Sequence, residues 1–365
     1  MVNPGLIKLM LQNKGVFLKD DLRDEVIAGY NCFDVKMGKI FLYIRADQVN
    51  VKIPVYTVVS NKRDAYEIQQ ANGQYFIDMD GMRVDAGFYP QKEVYQKLIG
   101  ARLAGDIVRV KADDHLAITI NHYCKYFADG QQCKFCNIHK WPTQTHSTLQ
   151  EIIEAAYLYQ EQGEIKHLSI TGGTGHGADK GLLKMIQFII KLRDRGVSLP
   201  IAVEFEPIHN KEWLCTLASL GVKTISCNIE LLGDIPRAQL MPGKGQIPFE
   251  TYLKTWQDCI DVFGENQVYT NILLTAADEA GQFIPRAKEI IDAGVIPSIG
   301  MMLEQKGAEI KIQLPELSTQ ISYFTEVVQR LKKVGLNPLK AKAGCAKNGG
   351  YSPINEFYTY NNKRR

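Results

Sequence analysis

No stretch of the sequence approaches the roughly 20 consecutive apolar residues that a membrane-spanning helix needs. The longest apolar runs, such as residues 116–120, are strand-length. Charge of one sign is also lacking, because 43 basic residues face 40 acidic ones. A net charge of +3 gives no global pull toward nucleic acid or a membrane surface. The N-terminal stretch is broken by Pro4 and Gly5 and has no long apolar segment or small-residue cleavage site. A soluble cytoplasmic protein is the expectation. No internal repeat and no low-complexity segment stands out. Without an export signal, the eight cysteines read as thiols or metal ligands rather than disulfides.

What is present falls into two unlike parts. Residues 1–112 hold short β-like stretches, such as 39–44, 51–58 and 74–79, separated by turn signals at Asn72-Gly73 and Asp80-Gly81. They are expected to form a mixed α/β accessory domain that closes the active site as a lid. From about residue 113, strands alternate with helices. The predicted strands are 116–121, 167–171, 201–206, 224–230, 268–274 and 296–302. The predicted helices are 148–162, 180–195, one from about 210, then 248–263, 284–293 and 317–334. Six β/α units over 113–340 predict an α/β fold, a partial (β/α)6 TIM-like barrel. An eight-stranded barrel or an open doubly wound sheet are the alternatives. Residues 341–365 are expected to pack as a tail near the active site. In parallel barrels the chemistry sits at the C-terminal strand ends.

Three of the cysteines lie within thirteen residues, after the first predicted strand of the barrel. Cys124, Cys133 and Cys136 are spaced C-x8-C-x2-C. Thiolates are the usual ligands of iron–sulfur clusters. Three of them on a four-iron cubane leave one iron open to a small-molecule chelator. Phe135 offers an aromatic face beside them, suited to packing on an adenine. A zinc site of these cysteines with His139 is the alternative, and it would make the loop a zinc-stapled binding module. The run Thr171-Gly-Gly-Thr-Gly-His-Gly177 lacks the Lys-Ser/Thr of a P-loop, so phosphate binding is weakly signalled there. Glu204 and Glu206 share one side of a strand by alternation, and Glu230 ends the next. They could receive ribose hydroxyls or an ammonium, or form a structural ion pair.

The cysteine loop resembles the radical S-adenosylmethionine superfamily, whose signature is three close cysteines ending in C-x-aromatic-C, usually with a shorter first interval. The resemblance runs over residues 114 to about 302. It extends to the biotin-synthase-like branch, including biotin and lipoyl synthases and a group found in nitrilase gene clusters. The stretches Asp113–Cys124 and Ala343–Ser352 carry that closer likeness. The resemblance implies a [4Fe–4S] cluster on the three cysteines and reductive cleavage of S-adenosylmethionine. A 5′-deoxyadenosyl radical would then abstract hydrogen from an unactivated C–H of a small or acyl-carried substrate. It implies that Gly172, Gly173 and Thr174 form the turn that receives the amino group of S-adenosylmethionine. Arg237 is implied to hold the methionine carboxylate. An electron donor such as ferredoxin or flavodoxin is expected, and a further partner protein is compatible. Sulfur insertion would need a second iron–sulfur cluster, for which Cys345 and Cys32 are candidate ligands. Single-cluster rearrangement, carbon–carbon cleavage or methyl transfer stands equal to it.

Overall fold

The structure is a computed structural model, and it describes residues 2–30, 38–45, 48–57, 64–138, 147–277, 280–302, 310 and 313–360. His139 and Cys32 lie outside the described residues.

The N-terminal stretches of alternating burial close on themselves. Strands β1 (Val16–Phe17), β2 (Lys39–Ile44), β3 (Val49–Tyr56), β4 (Tyr66–Ala71), β5 (Gln74–Met79) and β6 (Met82–Phe88) form a closed barrel. Its order is β1-β3-β2-β6-β5-β4, and β1 pairs parallel with β3 and β4. Inward residues such as Val51, Ile53, Ile68 and Ile77 fill it, and closure removes the exposed edges that an open sheet would carry. The turn residues Asn72, Gly73, Asp80 and Gly81 all take positive φ, as the hairpin signals require. A short ribbon, β7 (Leu98–Ile99) and β8 (Arg102–Leu103), leads onward.

The second sheet holds β9 (Arg109–Lys111), β10 (His115–Asn121), β11 (His167–Gly172), β12 (Ile201–Phe205), β13 (Val222–Cys227), β14 (Val268–Leu274) and β15 (Ile296–Met301). Strands β10 to β15 are all parallel and lie in chain order. That monotonic order is singly wound and rules out the doubly wound alternative. The result is the expected partial barrel of six β/α units. One strand was not foreseen: β9 lies within 1–112 yet pairs antiparallel with β10 at the sheet edge.

The helices carry their own start signals. Thr148 and Glu151 form a capping box at helix Leu149–Glu161, and Asn210 caps helix Lys211–Ser219. Helix Leu317–Val334 buries Tyr323, Phe324, Val327, Val328 and Leu331, one face at helical spacing.

The tail lies inside the half-barrel, against the N-terminal ends of its strands. The Gly344 N–H donates to His167 Nδ1 at 3.1 Å, and a Cβ on Gly344 would stand 2.5 Å from that of Ala202. The Asn348 amide meets His115 Nδ1 at 2.6 Å, and Ser169 Oγ meets its Nε2 at 2.8 Å. The two imidazoles stack at 4.6 Å. Burial first, then the facing His167, Lys111 and Arg109, lower the His115 pKa well below its ordinary 6.5. Above that value His115 is neutral in both folded and unfolded chains. Below it the unfolded chain binds a proton that the folded one refuses, so stability falls with pH. The expected slope below pH 6.5 is up to ~1.4 kcal/mol per pH unit. Urea unfolding at pH 7 and 5.5 should show His115→Gln flattening this loss; identical slopes would refute the assignment.

Candidate active site

Strand β10 ends at Asn121, and its side chain organises the loop that bears Cys124. Asn121 Oδ1 accepts from the Tyr123 N–H at 3.1 Å, and its amide donates to the carbonyls of Tyr123 at 2.9 Å and Gly173 at 3.3 Å. The Lys125 N–H donates to Thr174 O at 2.8 Å. This loop is thus bound to the turn after β11. A Cβ on Gly173 would lie 2.0 Å from Tyr123 O and 2.8 Å from Cys124 Cβ. Only glycine permits that approach.

The other two cysteines are pinned from a different side. The Lys134 N–H donates to Leu240 O at 2.9 Å, and the Gly243 N–H to Gln131 O at 3.2 Å. All three thiols are half-buried. Phe135 sits with Leu231, Met241 and Met302 in a small apolar cluster on which Cys133 and Cys136 pack. Burial pushes the Cys136 thiol up to about 11 and Cys133 further still. Bare, these thiols are neutral; as thiolates they require a positive centre. Among the described residues no group of three or more His, Cys, Asp or Glu side chains is gathered to hold a metal ion.

The carboxylates part company. Strand β12 ends at Phe205, one residue earlier than predicted. Glu206 is buried and accepts from Thr174 Oγ1 at 2.7 Å and Tyr126 OH at 3.1 Å. Glu204 instead lines a cavity of about 310 Å³. There burial raises its pKa against the pull of Lys111. Strand β13 stops at Cys227 rather than running to residue 230. Glu230 lies beyond it with φ +71°, a left-handed conformation rare outside glycine and asparagine. Its backbone bonds to Asn271 and Leu273 hold it there, and Lys244 pairs with its carboxylate at 3.3 Å.

Arg237, which the resemblance implies for the methionine carboxylate, is placed here among backbone carbonyls. It is buried, and its guanidinium donates to the carbonyls of Ile229, Leu231, Gly245 and Ile247 at 2.8–3.4 Å. Both terminal nitrogens of the guanidinium are thus engaged by backbone. Cys345 lines the cavity, half-buried, with Lys111 Nζ 3.5 Å from its sulfur.

The cavity runs between the cysteine loop and the tail. Phe135, Cys136 and Asn137 line it from the loop, Glu204 and Glu230 from the strand ends, and Cys345 and Tyr351 from the tail. Gln12, Lys39 and Lys52 reach it from the N-terminal segment, and Arg109 and Lys111 from β9. Sequence reading missed Lys244, Lys52, Lys111 and Tyr351. The only signal was the alternation Arg109-Val-Lys111, which puts two cations on one strand face.

Residues 119–280 match the Radical SAM superfamily. No curated protein matches the chain in sequence. Among solved structures, methylornithine synthase is similar at a TM-score of 0.47 and 16% identity, over 68% of this chain and 71% of that one. A radical SAM methyltransferase from Sphaerobacter thermophilus gives 0.45 and 12%, over 72% and 73%. HydG, a maturase of the [FeFe]-hydrogenase, gives 0.44 and 14%, over 63% of this chain and 51% of that one, so the chain spans about half its length. The family match covers the cysteine loop, the glycine turn and both glutamate-bearing strand ends, so residues 119–280 of the chain carry a Radical SAM superfamily domain.

Proposed function

We propose that Cys124, Cys133 and Cys136 hold a [4Fe–4S] cluster at the mouth of the half-barrel, and that S-adenosylmethionine binds beside it. The observation carrying this is the binding of the Cys124 loop to the Gly172–Gly173–Thr174 turn through Asn121 and a backbone approach open only to glycine. Cys133 and Cys136, half-buried on an apolar cluster, need a cationic centre to ionise, which the irons of a cluster provide.

When bound, the cluster and cofactor supply reductive cleavage of a carbon–sulfur bond and hydrogen abstraction from an unactivated C–H. The chain supplies placement and exclusion of water. Phe135 gives the adenine an apolar face. Thr174, fixed by Glu206, presents the turn to the methionine ammonium. Glu206 stands directly behind Thr174 and gives the turn a carboxylate. Lys244, paired with Glu230, takes the methionine carboxylate in place of Arg237. Glu204 and the cavity beyond it receive the substrate. A one-electron donor such as ferredoxin or flavodoxin completes the system.

For the outcome we favour chemistry that needs one cluster: rearrangement, carbon–carbon cleavage or methyl transfer. Sulfur insertion, as in biotin and lipoyl synthases, calls for a second cluster. Beyond the loop trio, the remaining cysteines, at 32, 215, 227, 259 and 345, form no second closely spaced trio in the sequence.

Protein purified anaerobically should be brown, with about four irons per chain. Dithionite and S-adenosylmethionine should then yield 5′-deoxyadenosine. A colourless protein carrying stoichiometric zinc after anaerobic reconstitution would overturn the proposal in favour of the zinc-stapled module.

A further inference from the structure

The cavity has a charged end that the cluster reading leaves unused. Lys39 from β2, Lys52 from β3, and Arg109 and Lys111 from β9 all line it, against the carboxylates of Glu204 and Glu230. Glu230 is already engaged by Lys244. Lys52 is 9% exposed and Arg109 6%, while Lys39 and Lys111 are half-buried. Two of them converge on one ring. Lys52 Nζ lies 5.0 Å and Lys111 Nζ 5.1 Å from the centre of Tyr351, and Lys52 also donates to its hydroxyl at 3.2 Å. Two ammoniums held this close around one ring present a doubly cationic seat to a small anion that enters the cavity.

We infer that the substrate is a small acid whose carboxylate or phosphate seats between Lys52 and Lys111 on Tyr351. The rest of the molecule then extends toward Phe135 and Cys136, where the reaction begins. This rests on the proposed active site for its direction, but the anion seat itself does not need the cluster. Amines and neutral sugars are disfavoured as substrates by the same charges. The seat draws on two distant parts of the chain, because β3 belongs to the N-terminal barrel and β9 to the edge of the half-barrel. The accessory region thereby gains a substrate-binding role, through Lys52.

Cys345, 3.5 Å from Lys111 and inside the cavity, is a reporter for the test. Iodoacetate is a small carboxylate and iodoacetamide its neutral counterpart. Each alkylates a thiol by forming a sulfur–carbon bond as iodide leaves and the thiol proton passes to buffer. The exposed Cys215 gives the intrinsic preference of the two reagents in the same protein. With the anaerobic holoprotein, peptide mass spectrometry should show iodoacetate favoured at Cys345 by about tenfold relative to Cys215, a modest case of electrostatic focusing. Lys111→Met and Lys52→Met should each shrink this ratio, and Lys111→Arg should keep most of it. Inorganic phosphate and acetate, compared at equal ionic strength, should slow labelling beyond sodium chloride; whichever does so more identifies the acid group. Equal ratios at the two cysteines, a ratio unmoved by both Met variants, no labelling of Cys345, or no competition beyond sodium chloride would each overturn the inference. A missing cluster would instead show in the iron count, so the two readings fail separately.

Discussion

Replacing Cys133 by Ala should abolish 5′-deoxyadenosine formation while leaving the fold intact. The loss should exceed well over 100-fold, since removal of a merely supporting group around a metal already costs 10–100-fold. Iron content should fall in parallel. The fold should survive because backbone bonds hold this loop: Lys134 N–H to Leu240 O, Cys136 N–H to Cys133 O, and Gly243 N–H to Gln131 O. None of them involves the thiol. Cys259 is the matched control, a fully buried cysteine in helix Phe249–Phe263 that packs in the main core. Cys259→Ala should lower stability by roughly 1 kcal/mol through lost packing and leave iron and cleavage unchanged. The paired result separates a ligand from a buried small hydrophobe. Persistent cleavage by the Cys133 variant would remove this cysteine from the ligand set.

The range of each interaction decides how far it is legible in the sequence. Strands β2 and β5, helix Leu317–Val334 and the cap at Thr148 were legible because each rests on local periodicity or a local hydrogen bond. The order of the parallel strands was legible because β/α alternation leaves few ways to wind a sheet. The closure of the N-terminal barrel was not, since it depends on β1 and β4 pairing across 50 residues (Val16 opposite Tyr66). The end of β13 was overrun because the alternation Ile225, Cys227, Ile229 continues past Cys227, and only the backbone bonds of Glu230 to Asn271 and Leu273 reveal the turn. In the site, the cysteines and the glycine turn were found by motif, and the structure joins them. The cationic wall was invisible because Lys52, Lys111 and Tyr351 are far apart in the chain and meet only in space. Arg237 shows the opposite case. Its place after the fourth barrel strand suited a carboxylate, but the four carbonyls that occupy it come from chain conformation, which no spacing encodes.

Arg237→Met should therefore weaken the protein rather than its grip on S-adenosylmethionine. The guanidinium ties the segment before helix Asp234–Leu240, through Ile229 O and Leu231 O, to the segment after it, through Gly245 O and Ile247 O. It also lies 5.5 Å over the Tyr252 ring. Gly245 allows this closeness, since a Cβ there would stand 2.3 Å from Arg237 O. Methionine fills similar space but donates nothing, and each buried carbonyl left alone costs about 1–3 kcal/mol before relaxation. A net loss of about 3–5 kcal/mol is expected, the scale of breaking a buried charged network. Against a typical total of roughly 5–15 kcal/mol, that is a large share. Arg237→Lys should recover only part, because one ammonium cannot reach both segments. Thermal unfolding and KM for S-adenosylmethionine, read together well below the unfolding temperature, decide the matter. The expected result is a lower unfolding temperature, with KM within about twofold of the parent, because no uniform binding contact has been removed. An unchanged unfolding temperature with a steep rise in KM would return Arg237 to the cofactor carboxylate.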